Sequence, residues 1–297
     1  MLTNILQYDV NPEKVYNKKY LELLNKISRF NARRHPLFGT YPIAGFKYDS
    51  DLLIIGREAP WWPECFSVHE LNVKGEENIF YQKVMLPGAY AIRRACPMAF
   101  VTDLWGESKY RPMYKAYKYH TRSDSFWVCA KEIVKGLGIS DDENEWPSYL
   151  SLSYLYKISF ADKPCLNEKL RLLQFDICKD LFRFELYMGK PRRILFLTGM
   201  NYAKDFLGLP DDIGLDDCIV NLGVFDYGVH RAETVISANP KKYFKDGIVD
   251  TVLRGFGVTP IDKHQKPRWD TFRRYSKNIK YSKILTPEQI EINSQCA

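Results

Sequence analysis

Short apolar runs alternate with amphipathic stretches along most of the chain. Four β-rich apolar runs have the length typical of buried strands: residues 51–56, 149–158, 193–198 and 233–237. Amphipathic spacing predicts helices over 12–34, 123–137 and 166–188, and a weaker run at 98–102 predicts a further extended segment. Asn11 is the predicted N-cap of the first helix. Its expected apolar stripe consists of Val15, Leu21, Leu24, Ile27 and Phe30.

The order of these elements favours an open, largely parallel α/β sheet, because the segments between successive predicted strands are long enough to contain a helix. Sheets of this kind bind ligands beyond the carboxyl ends of their strands. The residues that follow the predicted strands are therefore the first candidates for a site. They are residues 57–62, 199–202 and 238–243.

The composition is that of an ordinary globular protein. Of 297 residues, 45% are hydrophobic and 27% charged, which excludes collagen-like and disordered classes. No run approaches the roughly 18 apolar residues of a membrane span, and the first residues lack a basic, apolar leader. We therefore expect a cytoplasmic protein with no membrane partner.

The cysteines and glycines argue against metal and cofactor sites. Seven cysteines, an odd number with no Cys-x-x-Cys pair, predict reduced thiols and no metal or iron–sulfur centre. No Gly-x-Gly-x-x-Gly or Walker-type loop occurs in the chain. No cofactor is therefore expected.

Positive charge is concentrated in two segments, at 109–122 and 262–283. Together they carry a net charge of +11, more than the +7 of the whole chain, and both interleave aromatic residues. This pattern is typical of a surface that follows phosphates and stacks on bases. It predicts DNA contacts by Lys115, Lys118, Arg273 and Arg274. The alternative is a helix in which Tyr110, Tyr114 and Tyr117 pack and the lysines are solvated.

Two of the candidate loops carry residues suited to chemistry. The first, Gly56-Arg57-Glu58-Ala59-Pro60-Trp61-Trp62, combines a carboxylate, a proline and two large rings. The last, Ala238-Asn239-Pro240-Lys241-Lys242, combines an amide, a proline and two lysines. A parallel sheet would bring both loops to one edge.

These loops resemble motifs of the uracil-DNA glycosylase superfamily. One branch reads Gly-Glu-Ala-Pro-Gly in the first loop, and Asn239-Pro240-Lys241 is similar to the Asn-Pro-Ser or His-Pro-Ser motif of the last. The runs 154–159 and 185–202 resemble the strands between them, in the same order, over about 50–255. The resemblance implies a three-layer α/β/α fold around a central four-stranded, mainly parallel sheet, spanning 46–260. A helical extension at 1–45 and a basic aromatic segment with a polar tail at 261–297 would flank it.

The resemblance also implies roles for individual residues. Glu58 would be the catalytic carboxylate and Asn239 the amide that holds the departing base. Lys241, Lys242 and Pro240 would contact DNA. The implied pocket for a flipped base consists of Gly56, Arg57, Ala59, Pro60, Trp61, Trp62, Ser153 and Tyr154.

The chain departs from the family at the base-recognition residue, because Ser153 and Tyr154 stand near the position of the usual Asn. The predicted function is therefore excision of a non-canonical base by a monofunctional glycosylase. The partner of the enzyme would be double-stranded DNA that contains this base. The enzyme itself would be a monomer. The best candidate base is a hypermodified cytosine of phage DNA, such as glucosylated hydroxymethylcytosine, which implies a role in antiviral defence. Repair of uracil or mismatches is the alternative within the same class.

Each assignment has a structural alternative. Glu58 could pair with Arg57 on a solvated loop, Asn239-Pro240 could be an ordinary turn, and the Trp61-Trp62 pair could be a packed lid. Lys157 follows a strand, so we expect a surface residue rather than a Schiff-base nucleophile. For the whole protein, the alternatives are a catalytically silent DNA-binding module and a small-molecule enzyme such as a nucleotide hydrolase.

Overall fold

The computed structural model describes residues 11–30, 35–59, 62, 64–85, 101, 124–162, 167–209, 220–228, 230–238, 240, 247–258 and the backbone of 273–274. Its helices are α1 (Pro12–Ser28), α2 (Val68–Lys74), α3 (Glu76–Ile79), α4 (Ser125–Gly136), α5 (Glu168–Gly189), α6 (Met200–Leu207) and α7 (Ile248–Gly255). A π-helical turn spans Phe80–Met85 and a 3₁₀ turn spans Trp146–Tyr149.

The strands of these ranges form two sheets. They are β1 (Leu37–Gly39), β2 (Ile43–Ala44), β3 (Leu52–Glu58), β4 (Cys65–Phe66), β5 (Leu150–Tyr156), β6 (Ile158–Phe160), β7 (Arg193–Phe196), β8 (Val220–Asp226), β9 (Arg231–Ile236) and β10 (Arg273–Arg274). The larger sheet has the order β10-β8-β9-β7-β3-β5-β2, and the smaller the order β4-β1-β6. Strands β9, β7, β3 and β5 are mutually parallel, whereas β8 and β2 run antiparallel to their neighbours.

Helices cover both faces of the parallel strands. Successive residues of a strand point to opposite faces of the sheet, so each face of a strand contributes to a different core. Leu53 and Ile55 of β3 lie in a core that includes buried residues of α1, α5 and α6. Leu52 and Ile54 lie in a second core with buried residues of α4 and α7. Burial on both faces explains why β3 reads as a continuous apolar run.

The structure confirms the predicted mixed α/β architecture with a mostly parallel sheet. The sheet is wider than the four strands predicted, because β2, β8 and β10 extend the parallel part at its two edges. Within the segment predicted as a helical extension, residues 37–44 contribute β1 and β2 to the two sheets. The domain boundaries at 45 and 260 stay a prediction.

Helix α1 begins as predicted, ends at Ser28 rather than at residue 34, and buries two tyrosines beside the predicted apolar stripe. Asn11 caps it, its side chain accepting a hydrogen bond from the Glu13 amide at 3.0 Å. The fully buried residues are Tyr16, Tyr20, Leu23, Leu24 and Ile27. Leu24 and Ile27 belong to the predicted stripe, and its other members, Val15, Leu21 and Phe30, are partly buried against the same core. The tyrosines were missed because their hydroxyl groups look polar, yet each donates a hydrogen bond inside the protein.

Val101 is helical, so the extended segment predicted at 98–102 is wrong at this residue, and the rest of that run lies outside the described residues. A short apolar run without alternation fits either state. Among the described helices, none is long and apolar enough to cross a membrane.

Candidate functional site

The carboxyl ends of the four parallel strands meet at one edge of the larger sheet. The strand register pairs Glu58 with Tyr156 of β5, and Phe196 of β7 with Ile236 of β9. Beyond the strands, the Gly199 amide donates a hydrogen bond to the Ser237 carbonyl at 3.0 Å. This edge therefore joins the segments that follow three of the predicted strands, as the sequence predicted.

Glu58 is the last residue of β3 rather than part of a loop. The sequence placed the end of the strand at Gly56, but pairing with Tyr156 continues the strand through Glu58. Gly56 has another reason to be a glycine, since a Cβ at this position would lie 2.6 Å from atoms of the Tyr154 ring. Glu58 thus has a fixed backbone, and its side chain is 9% exposed.

Arg57 forms an ion pair with Glu58. Its Nη2 donates to Glu58 Oε1 at 2.5 Å, and the arginine side chain is 26% exposed. The pairing foreseen as an alternative to catalysis is therefore present. It occurs at a mostly buried strand end rather than on a solvated loop, so the carboxylate is partly desolvated.

Tyr202 of α6 holds the other side of the guanidinium. Arg57 Cζ lies 5.0 Å from the centroid of the Tyr202 ring, and Nη1 lies 3.4 Å from the Tyr202 hydroxyl. Burial lowers the pKa of Arg57. The negative charge of Glu58 and the contact with Tyr202 raise it by a larger amount, so the pKa lies above its ordinary value. Arg57 therefore stays charged.

Three of the predicted pocket residues lie in the apolar core beside α4 and α7. Trp62 is 2% exposed, Tyr154 5% and Ala59 2%. Burial raises the pKa of the Tyr154 hydroxyl. Trp62 is thus a packed side chain, in line with the lid alternative for that residue.

Ser153 lies on the opposite face of β5, in a buried polar network under α5. Its hydroxyl donates to Glu185 Oε2 at 2.5 Å and accepts from Lys157 Nζ at 2.8 Å. Lys157 Nζ also lies 2.6 Å from Glu185 Oε1, and the Tyr16 hydroxyl donates to the same oxygen at 2.9 Å.

The network corrects the prediction for Lys157. The sequence predicted a surface residue at the end of one strand, whereas the lysine side chain is 1% exposed. Lys157 also lies between the end of β5 and the start of β6, and β6 belongs to the smaller sheet. A buried lysine is stable here because a carboxylate, a hydroxyl and the Tyr154 carbonyl satisfy its ammonium group.

Several predicted site residues lie outside the described part of the chain. They are Pro60, Trp61, Lys115, Lys118, Asn239, Lys241 and Lys242. Pro240 is described and is buried in a helical conformation. The backbone of Arg273 and Arg274 forms β10, which pairs in parallel with Val220 and Asn221 of β8.

Sequence reasoning named the segment 199–202 but missed Tyr202 as the partner of Arg57. It also missed Glu185, the partner of Lys157. Glu185 lies on an apolar face of a helix, and an acidic residue among buried positions is a signal that a buried cation is near. Neither pairing could be found by spacing, since the partners are far apart in the chain.

No family model matches the chain, and no curated protein matches it significantly. Within the described ranges, no group of three or more His, Cys, Asp and Glu side chains is arranged to hold a metal ion.

Proposed function

We propose that the protein is a DNA glycosylase that flips a modified base out of the duplex and hydrolyses its N-glycosidic bond. The observation that carries the proposal is the position of Glu58. Its carboxylate is mostly buried at the end of a central parallel strand, where this class of sheet binds ligands. The segments after β7 and β9 reach the same edge, as the resemblance to the uracil-DNA glycosylase superfamily requires.

The chemistry needs a carboxylate at such a place. Breaking the bond leaves positive charge on the sugar and negative charge on the departing base. Glu58 would stabilise the cationic sugar and orient the attacking water. The amide of Asn239, in the segment directly after Ala238, would hold the base as its negative charge develops. The bond that breaks joins sugar and base. Water supplies the hydroxyl of the abasic product, and its proton is transferred to the released base.

The proposed substrate is a non-canonical base, for which hypermodified cytosine of phage DNA is the leading candidate. Support comes from the residues near the expected recognition position. The Tyr154 side chain is packed in the core, and the Ser153 hydroxyl donates a hydrogen bond to Glu185. Neither side chain carries the amide group that selects uracil in the family. The two basic segments of the chain support double-stranded DNA as the partner.

The Arg57–Glu58 ion pair favours a second candidate, a DNA-binding module without catalysis. In this alternative the pair is purely structural: the guanidinium 2.5 Å from the carboxylate compensates its charge, and Glu58 has no catalytic role. In that case the fold would bind DNA through its basic surfaces and release no base.

Base release from a panel of DNA substrates distinguishes the two candidates. The panel contains uracil, G·T mismatches, hydroxymethylcytosine and glucosylated phage DNA, and abasic sites are counted. Glu58→Gln keeps the size of the side chain and removes its charge. Glu233→Gln is the matched control, because Glu233 is 51% exposed near the start of β9, at the opposite edge of the same sheet.

We expect release from one modified DNA by the parent protein and by Glu233→Gln. In Glu58→Gln the rate should fall at least about 100-fold with unchanged DNA affinity, because catalytic groups of this kind contribute about 10²–10⁴-fold. Tight binding without release from any DNA in the panel would instead establish the binding module. Equal release by Glu58→Gln and the parent would contradict the role of Glu58.

A further inference from the structure

We infer that Arg57 is a positioning residue for Glu58, and that Tyr202 fixes Arg57 in turn. The inference rests on the proposed function, since it assigns a role within the same site. The sequence motif gives neither Arg57 nor Tyr202 such a role. The three residues form a chain of contacts from α6 to the carboxylate at the end of β3.

The first contact is between neighbours in one strand. Successive side chains of a regular strand point to opposite faces, so residues 57 and 58 would not meet in the middle of β3. They meet because the strand ends at Glu58, where the long arginine side chain reaches across to the carboxylate. The contact therefore fixes one oxygen of a side chain that the sheet itself would not orient.

The second contact ties Arg57 to another element. The guanidinium stacks on Tyr202, with 5.0 Å between Cζ and the ring centroid. Tyr202 in turn packs nearly perpendicular to Tyr156, the strand partner of Glu58, at 6.4 Å between ring centroids. Arg57 is thus held from α6 as well as by Glu58, which restricts its side chain to a small range of orientations.

This arrangement favours a role through Glu58 over a direct contact with DNA. The Arg57 side chain is 26% exposed, and its two terminal nitrogens already face the carboxylate and the tyrosine hydroxyl. An exposed arginine free to bind phosphate would have neither contact. The positive charge is also compensated locally, so it adds little to the attraction of a polyanion.

Positioning matters for the proposed reaction because the carboxylate must face the sugar carbon and the attacking water. A displacement of about 1 Å in a catalytic group costs about 100-fold in rate. Without Arg57, Glu58 Oε1 would lose the contact that fixes its direction at the strand end. The ground-state affinity for DNA would be unaffected.

The test is a comparison of single-turnover rate and DNA affinity for Arg57→Ala, on the DNA that the parent protein cleaves. We expect the rate of base release to fall about 100-fold. The dissociation constant and its salt dependence should stay within about twofold, because no phosphate contact is lost. Arg57→Lys should recover part of the rate, since an ammonium keeps the charge without the planar fork. That partial recovery also serves as the test if Arg57→Ala does not fold.

Tyr202 gives an independent check by a double-mutant cycle. Tyr202→Leu removes the ring and should lower the rate about tenfold through Arg57, an effect of the size seen when a supporting partner is lost. In the double variant with Arg57→Ala, the loss should equal that of Arg57→Ala, because Tyr202 then has nothing to hold. Losses that multiply would contradict the chain of contacts.

Arg193→Ala is the matched control. Arg193 is 27% exposed and pairs with Asp51 at 3.1 Å, but it lies at the start of β7, at the opposite edge of the sheet. Its loss should leave the rate unchanged. An Arg57→Ala variant that binds DNA more weakly with a flatter salt dependence, at an unchanged rate, would overturn the inference and indicate a phosphate contact. A parent protein that releases no base would overturn the proposed function and the inference together.

Discussion

Gly56 shows how one missing side chain sets the geometry of the site. The Tyr154 ring lies 2.6 Å from the position that a Cβ would occupy, and the Phe126 ring lies 3.4 Å from it. The glycine therefore lets β5 and α4 pack closely against the end of β3. Two residues later, the strand carries Glu58 to the sheet edge.

We predict that Gly56→Ala destabilises the protein by about 1–3 kcal/mol, the usual cost of overpacking a filled core. Urea unfolding of the variant and the parent measures this difference. Gly189→Ala is the control, because a Cβ at position 189 of α5 meets only the Pro191 ring, at 3.9 Å. That variant should be neutral or slightly more stable, since alanine is the better helix former. An equal loss in both variants would contradict the packing argument.

Between elements, the buried network of Lys157 and Glu185 connects β5, α5 and α1. Lys157 follows β5, Glu185 lies on α5, and Tyr16 of α1 donates to the same carboxylate. The Lys157 carbonyl also accepts a hydrogen bond from the Thr40 amide at 2.9 Å, beside β1. The side chains of the ion pair thus connect three elements, and the Lys157 backbone contacts the end of β1, near the carboxyl end of the parallel strands.

We predict that Lys157→Met costs about 3–5 kcal/mol of unfolding free energy, because it leaves a buried carboxylate without its cation. The double variant Lys157→Met, Glu185→Leu should lose less than the single variant, since no uncompensated charge remains. Urea unfolding of both single variants and the double variant completes the cycle. A cost below about 1 kcal/mol for Lys157→Met would contradict the argument that the variant leaves a buried carboxylate uncompensated.

At the scale of the whole molecule, the two edges of the large sheet differ in what they carry. Glu58, Arg57 and Tyr202 lie at the carboxyl edge, whereas Arg192 and Arg231 flank the starts of β7 and β9 at the other. The basic C-terminal segment joins the sheet through the backbone of β10, which pairs with β8. A DNA duplex bound by that segment would therefore be held by a strand of the fold.

We predict that replacing both Arg273 and Arg274 by Ala weakens binding to all DNA sequences alike. The slope of log affinity against log salt should flatten by about 2, because each lost phosphate contact contributes about 0.9. Fluorescence anisotropy over a salt series measures the slope. The control replaces Arg192 and Arg231, which are 63% and 72% exposed, and removes the same charge from the other edge. An identical change of slope in both variants would indicate a general charge effect rather than a DNA contact.

The sequence by itself determined the alternation of strands and helices. It also determined which residues follow the strands at the carboxyl edge of the sheet. Apolar runs and caps are local signals, so the four parallel strands and helices α4 and α5 are predicted with small errors at their ends, whereas α1 ends at Ser28, six residues before its predicted end. The glycine at 56 was misread as a turn, because close packing under Tyr154 and a turn both favour glycine. The end of β3 was consequently placed two residues too early.

The tertiary structure decided which polar groups meet. Arg57 and Tyr202 are 145 positions apart, and Tyr16 and Glu185 are 169 apart, so no spacing rule relates them. Burial of Lys157 likewise depends on three elements converging on one side chain. A charged residue is buried only where partners offset its desolvation, and the fold rather than the local sequence brings those partners together.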